Sequence, residues 1–298
     1  LEKKPLVSII SVAYNRPDSL RRLLESVKAS DYKDVEVIIS NNSDKVFESE
    51  YEKLASEYDF AKNIFNEENL MLSAAWNKSL HLVKGELVVF CGDDYVFEKK
   101  MLSQLVDFII SHDDCGVVGP MMYYSNGEEL IPASSISLAT GKPILGNYKP
   151  GANIVRIIDG VIMSRTKLVK EAGGFDDRNF IFYLESADLC ARIINRGYKC
   201  YLFYEAKATH DHMPLKGNIL PEPDRYANPD TYYYLMSSKI KYIRKYANIL
   251  EKLIFFIIFL PLLCLWHSSI IIIRGRKSTL HKFHSFYKGV INGIYEKL

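Results

Sequence analysis

The chain has 298 residues, 48% apolar and 25% charged, an ordinary balance for a globular protein and enough to bury a core in one large domain or two small ones. A net charge of +2 gives no overall case for nucleic acid as a partner. Five cysteines, an odd number with no C-x-x-C pair, argue against a disulfide framework and a zinc site; they fit a reducing compartment and read as buried apolar thiols.

In chain order, Leu6 to Ala13 is a nearly continuous apolar, β-branched run, the pattern of a buried strand. Asn15-Arg16-Pro17-Asp18 comes next, with Pro17 suited to a first helical turn and Asp18 to its positive end. Leu20, Leu23, Leu24 and Val27 fall at helical spacing. Val35 to Ile39 is a second strand, ending in the turn composition Ser40-Asn41-Asn42-Ser43-Asp44. Phe47, Tyr51, Leu54 and Tyr58 form a helical stripe, Ile64-Phe65 a short strand, and Leu72, Trp76, Leu80 and Val83 a third helix. Glu86 to Cys91 is a strand closed by Gly92-Asp93-Asp94, and a helix through Met101, Leu105 and Phe108 comes after it.

Beyond it the expected pieces are a strand over Val117 to Tyr124 and a loop-rich stretch from Ser125 to Gly151. A strand over Arg156 to Ser164, broken at Asp159-Gly160, leads to a turn at Gly173 to Asp176. A helix over Glu185 to Asn195, a strand over Lys199 to Tyr204, and a proline-rich mobile loop from Pro214 to Pro229 complete the series. Alternating strands and helices predict an α/β fold with a mostly parallel sheet, whose ligands bind beyond the carboxyl ends of the strands. That rule sets the turns at Tyr14-Asn15-Arg16, Asn41-Asn42 and Asp93-Asp94 along one edge.

Leu253 to Ile273 has no Asp, Glu, Lys or Arg over 21 residues and is flanked by basic residues, among them Lys241, Arg244, Lys252, Arg276 and Lys282. The length suffices to cross a bilayer, while basic residues on both flanks favour a re-entrant hairpin or an in-plane helix on a membrane surface.

Several residues carry candidate chemistry. Asp93-Asp94, two adjacent carboxylates in a turn, are suited to Mg²⁺ or Mn²⁺, and equally to a solvated turn. Glu185 and Asp188 share a helix face and offer a general base, with Arg192 spaced to pair with Asp188. His210 and His212 are possible metal ligands or structural histidines. Asn15, Asn41 and Asn77 each present an amide that could read a nucleobase edge or cap a turn.

Taken in order, these pieces resemble the family-2 glycosyltransferases with the GT-A fold. The resemblance rests on Leu6 to Pro17, on Val37 to Ser43, and on Asn69 through Asn77. It continues through Val88 to Asp94 at the place of the metal-binding D-x-D, and through Asp159-Gly160 to Arg165 with Gly173-Gly174-Phe175-Asp176. The Tyr183 to Arg192 helix and His210 complete it. It implies a catalytic domain over residues 1–212, a loop and connecting helix over 213–248, and a membrane-associating segment over 249–298. It implies transfer with inversion from a nucleotide-diphosphate sugar to a glycan or lipid-linked glycan at the cytoplasmic face of the membrane. A rhamnosyltransferase-like subgroup looks nearest.

In that picture Ala13, Tyr14, Asn15, Arg16, Asn41, Asn77 and Asp93 bind the donor, and Asp94 and His210 hold Mn²⁺ or Mg²⁺. The chain departs from the family pattern at Gly92, Asn41 and Met71, and Ser186 stands where many members carry the catalytic Asp. Glu185 or Asp188 is then the base, Glu185 being preferred because Arg192 can occupy Asp188.

Overall fold

A computed structural model describes residues 4–130, 133–211, 229–274 and 279–298. The chain divides into two compact units. The first comprises residues 1–134, 145–177 and 186–213, and the second comprises 135–144, 178–185 and 214–298.

The first unit is an α/β sandwich. Its early elements are β1 (Val7–Ala13), α1 (Pro17–Ala29), β2 (Val35–Asn41), α2 (Glu48–Ser56), β3 (Ala61–Phe65), α3 (Ser73–Leu80), β4 (Leu87–Gly92), β5 (Tyr95–Phe97), α4 (Met101–Ser111) and β6 (Cys115–Tyr124). Later come β7 (Ala152–Val155), β8 (Ile162–Arg165), α5 (Thr166–Glu171), α6 (Glu185–Ile194) and β9 (Lys199–His210). The main sheet runs β7-β9-β6-β8-β4-β1-β2-β3, with β5 on the end of β9. The β1–β2, β1–β4, β2–β3 and β6–β9 pairs are parallel; β8 lies antiparallel between β4 and β6.

The apolar run of β1 is explained by burial on both faces. Val7 and Ile9 pack into one core layer with Leu20, Leu24 and Leu105, and Ile10 packs into the other with Trp76, Phe90 and Phe175. At Gly85, just before β4, an added Cβ would lie 2.6 Å from the Leu6 carbonyl oxygen, so the chain passes β1 too closely for a side chain.

The structure extends the sequence expectations in four places. The strand from Lys199 runs on to His210 through an irregularity between Phe203 and Lys207. β5 and α5 are additional elements. The stretch from Ser125 to Gly151 contains short strands at Glu129–Leu130, Ala133–Ile136 and Pro143–Leu145. The loop from Pro214, and His212, lie outside the described residues.

The second unit is built on α7 (Pro229–Tyr246), α8 (Ile249–Ile254), α9 (Leu260–Arg274) and α10 (Thr279–Tyr295). Tyr232, Met236, Ile240, Phe255 and Phe286 form its core. Helices α7 and α10 touch closely: a Cβ on Gly289 would lie 2.5 Å from the Tyr233 carbonyl oxygen. The apolar segment does not double back. A π-helical stretch over Phe255–Phe259 joins α8 to α9, so the backbone stays helical from Ile249 to Arg274. Pro261, which has no N–H to give the preceding turn, is absorbed by that widened helix rather than ending it. The expectation of a re-entrant hairpin is corrected accordingly. Of the basic flank, Lys241 is buried against Glu296 (2.6 Å), Arg244 Nη1 donates to the Gly293 carbonyl (2.8 Å), and Lys282 is buried.

Candidate active site

Register places the three expected turns together. Ala13 lies opposite Asn41 in the β1–β2 pair, and Val12 lies opposite Gly92 in the β1–β4 pair, so all three strands end level at one sheet edge. The turn after each strand is polar, because backbone groups leaving the sheet need partners that strands no longer supply.

Arg16 and the acidic pair form the centre. The guanidinium reaches Asp93 Oδ1 at 3.1 Å through Nη2 and Asp94 Oδ2 at 3.2 Å through Nη1. Asp93 is buried and also accepts the Tyr14 N–H on Oδ2 at 3.1 Å. Burial pushes the Asp93 carboxyl up to about 7, against the pull of Arg16 and with help from the Asp94 charge. The strand β9 delivers His210 to the same point. His210 pairs with Tyr95 of β5 in register, stacks on its ring at 4.8 Å, and sets Nε2 3.4 Å from Asp94 Oδ2. The Asp211 N–H donates to the Asp94 carbonyl at 2.7 Å, and Asp211 is itself ion-paired with Arg22.

Asp94 and His210 fit a divalent cation as a partial donor set. Two adjacent ligands on one six-coordinate ion lie about 3 Å apart, close to the separation found here. No group of three acidic, His or Cys ligands occurs among the described residues, so a bound ion would complete its shell with substrate phosphates and water.

Each of the three asparagines makes local hydrogen bonds. Asn15, at φ 52, exchanges two hydrogen bonds with Asp44: its Nδ2 donates to Asp44 Oδ2 at 2.8 Å, and the Asp44 N–H donates to its Oδ1 at 2.9 Å. Asn41 is fully buried; its Oδ1 accepts the Ser43 N–H, while its Nδ2 has no hydrogen-bond partner among the described residues. Asn77 clamps the Gly174-Phe175 turn, accepting the Phe175 N–H and donating to the Phe175 carbonyl and Asp177. Ala13 is buried at the end of β1. Tyr14, 45% exposed, and Arg16 are the residues of this first turn that open to solvent.

On α6, Arg192 Nε meets Asp188 Oδ2 at 2.7 Å, the pair that the helical spacing anticipates, and Asp188 has no exposed surface. Glu185 opens the same helix and belongs to the second unit. It is buried, and it comes after two residues in left-handed backbone, Tyr183 (φ 69) and Leu184 (φ 65).

Asp159 carries part of the family resemblance but is not among the expected site residues. Its Oδ1 accepts the Ser186 hydroxyl at 3.1 Å and the Gly160 N–H at 2.9 Å. The sequence signal is the Asp-Gly break within a strand run, which also carries part of the resemblance. Gly160 sits at φ +84, and a Cβ there would lie 2.6 Å from Met122 Cε and 2.8 Å from the Tyr95 hydroxyl. Gly160→Ala is therefore expected to lower stability by about 1–3 kcal/mol, measured as a shift in the urea midpoint. An unchanged midpoint would show that the turn relaxes freely.

The glycosyl transferase family 2 model matches residues 8–172. The chain is 26% identical to an uncharacterised glycosyltransferase of Rickettsia felis over 55% of this chain and 27% of that protein. It is 30% identical to glycosyltransferase GlyA of Streptococcus pneumoniae over 41% of this chain and 17% of GlyA. The match thus spans about a quarter or less of these longer relatives. Among solved structures, mannosyltransferase PcManGT from Pyrobaculum calidifontis, in complex with GDP-Man and Mn²⁺, is similar with a TM-score of 0.62 at 14% identity. That likeness covers 100% of this chain and 89% of PcManGT and speaks to the fold. The matched span takes in β1, the acidic turn and the strand β8, and on it the chain belongs to glycosyl transferase family 2.

Proposed function

We propose that the chain is a metal-dependent, inverting glycosyltransferase that moves a sugar from a nucleotide-diphosphate donor to a hydroxyl of a glycan or lipid-linked glycan. The observation that carries this reading is the convergence of Arg16, Asp93, Asp94 and His210 at the carboxyl edge of a family-2 domain. Tyr14 offers an exposed ring for the nucleobase, and Arg16 a guanidinium for the diphosphate. Asp94 and His210 would hold Mn²⁺ or Mg²⁺, which when bound supplies charge stabilisation to the leaving diphosphate. Asp93, fixed by the Tyr14 N–H and by Arg16, orients that guanidinium. PcManGT was solved with a nucleotide sugar and Mn²⁺, which supports the same ligand class here.

The test is nucleoside-diphosphate release by the full chain across UDP-, GDP- and dTDP-sugars, including dTDP-rhamnose, with Mn²⁺, Mg²⁺ or EDTA. Metal-dependent release from one donor is expected. Absence of both release and donor binding would sink the reading.

The C-terminal helix supports action at a membrane surface. Within its span from Ile249 to Ile273 the most apolar 18-residue stretch is only 17% buried, and Ile257, Leu262, Leu265, Trp266, Ile272 and Ile273 all stand exposed. Lys241 and Arg244 are engaged inside the unit and Lys282 is buried, which leaves the exposed apolar side chains to make the lipid contact alongside the remaining basic flank. Leu262 and Trp266 lie one turn apart on the exposed surface. Replacing both with Glu should cut binding to phospholipid vesicles by roughly tenfold or more, because charged side chains there resist burial in lipid. Co-sedimentation unchanged by the pair would remove the membrane from the reading.

A further inference from the structure

The turn before β8 carries a carboxylate, Asp159, at the same end of the sheet as the acidic pair and outside that pair's ion bridge. Strand β8 runs antiparallel to β4 with Ile162 opposite Phe90, so it enters the sheet at the end where β4 leaves it. Ahead of Ile162 the chain is in a turn, with Gly160 at φ 84 and the Val161 N–H donating to the Asp159 carbonyl at 3.2 Å. A run of contacts links this turn to the acidic pair. Gly160 abuts the Tyr95 hydroxyl, Tyr95 stacks on His210, and His210 reaches Asp94.

The acidic groups of this region differ in what they can still do. Asp93 and Asp94 share Arg16, Asp188 is buried on Arg192, and Asp211 is paired with Arg22. Asp159 is exposed and has no cationic partner among the described residues. Both of its donors, the Gly160 N–H and the Ser186 hydroxyl, meet the same oxygen, Oδ1. The carboxylate is thereby oriented from one side while Oδ2 stays open. A general base needs this combination: a fixed carboxylate with one oxygen accessible to the hydroxyl it must deprotonate.

We propose that Asp159 is the general base of the reaction and that Ser186 is its positioning residue; this rests on the glycosyl-transfer reading above. The acceptor hydroxyl gives its proton to Asp159 Oδ2 as its oxygen bonds to the anomeric carbon. The bond from that carbon to the diphosphate oxygen breaks, and the electron pair leaves with the nucleoside diphosphate. The serine at position 186 then has a chemical role, since it turns a carboxylate supplied by a distant turn toward the reacting hydroxyl.

The experiment measures donor binding and turnover separately on the full chain, with octyl glycosides as acceptors and water as the fallback acceptor. Asp159→Asn is expected to lower kcat about 100-fold or more while donor Kd, donor KM and melting temperature stay near wild type. Ser186→Ala should lower kcat about tenfold at unchanged donor KM, and Ser186→Thr, which keeps the hydroxyl, should restore it. Adding Ser186→Asp to Asp159→Asn should recover about tenfold of the lost rate, because it returns a carboxylate to the adjoining position. An Asp159→Asn enzyme with kcat within about threefold of wild type overturns the proposal, whether or not Glu185→Gln is the inactive variant instead. If the wild-type chain neither binds nor turns over any nucleotide sugar, the transferase reading itself fails and the base falls with it.

Discussion

Asp94→Ala is expected to reduce metal-dependent nucleoside-diphosphate release about 1,000-fold or more, the loss typical of removing a group that meets charge developing in the transition state. Asp94 Oδ2 is the point on which Arg16 Nη1 and His210 Nε2 both converge, at 3.2 and 3.4 Å. Without it the two cationic or ligating groups lose their common anchor, and a divalent ion loses its carboxylate. Asp94→Asn, which keeps the shape and removes the charge, should lose nearly as much. Stability is expected to move the other way. The Asp94 charge is one of the causes that push the buried Asp93 carboxyl upward, so deleting it relieves repulsion inside the fold. Melting temperature should therefore hold or rise while turnover collapses, the pattern of a site that stores unfavourable charge for use. Full turnover in Asp94→Ala would remove the acidic turn from the chemistry. A collapse of melting temperature would show that the pair is structural.

The framework of this site was legible because its strands are buried on both faces. β1, β2 and β4 read as largely apolar runs ending in polar turns, and the ends of a parallel sheet are where ligands gather. The pairing inside the site was less legible. Nothing in a linear sequence says that Arg16 bridges Asp93 and Asp94, because only the β1–β4 register brings those segments together. An amide that can read a base can equally tie a turn: Asn15, Asn41 and Asn77 each accept a backbone N–H on Oδ1, while the buried Nδ2 of Asn41 has no partner among the described residues. The strand β5 was hidden because it is short and reads as part of the acidic turn, and α5 because six residues give too little periodicity. The helix through Pro261 is a further case: the π-helical stretch just before it lets the helix carry a proline that a regular one would not.

Arg192→Ala is expected to destabilise the first unit by about 3–5 kcal/mol, the usual cost of stripping one partner from a buried ion pair. Asp188 has no exposed surface, and Arg192 meets it at 2.7 Å while Nη1 donates to the Ala172 carbonyl at 2.6 Å. The arginine thus joins α6 to the end of α5, beside a core layer that includes Leu189, Cys190 and Ile193. Removing it takes the Arg192 cation from the buried Asp188 carboxylate and leaves the Ala172 carbonyl without that donor. Melting should fall by roughly 10 °C for a unit of this size. Arg192→Lys keeps the charge but not the two-armed geometry, so its loss should be intermediate. The double variant Asp188→Leu with Arg192→Met should be more stable than Arg192→Ala, because neither charge is then buried alone. A double-mutant cycle reads the coupling directly. If Arg192→Ala costs less than about 1 kcal/mol, the pair is no buried bridge, and Asp188 becomes available as a base in competition with Asp159.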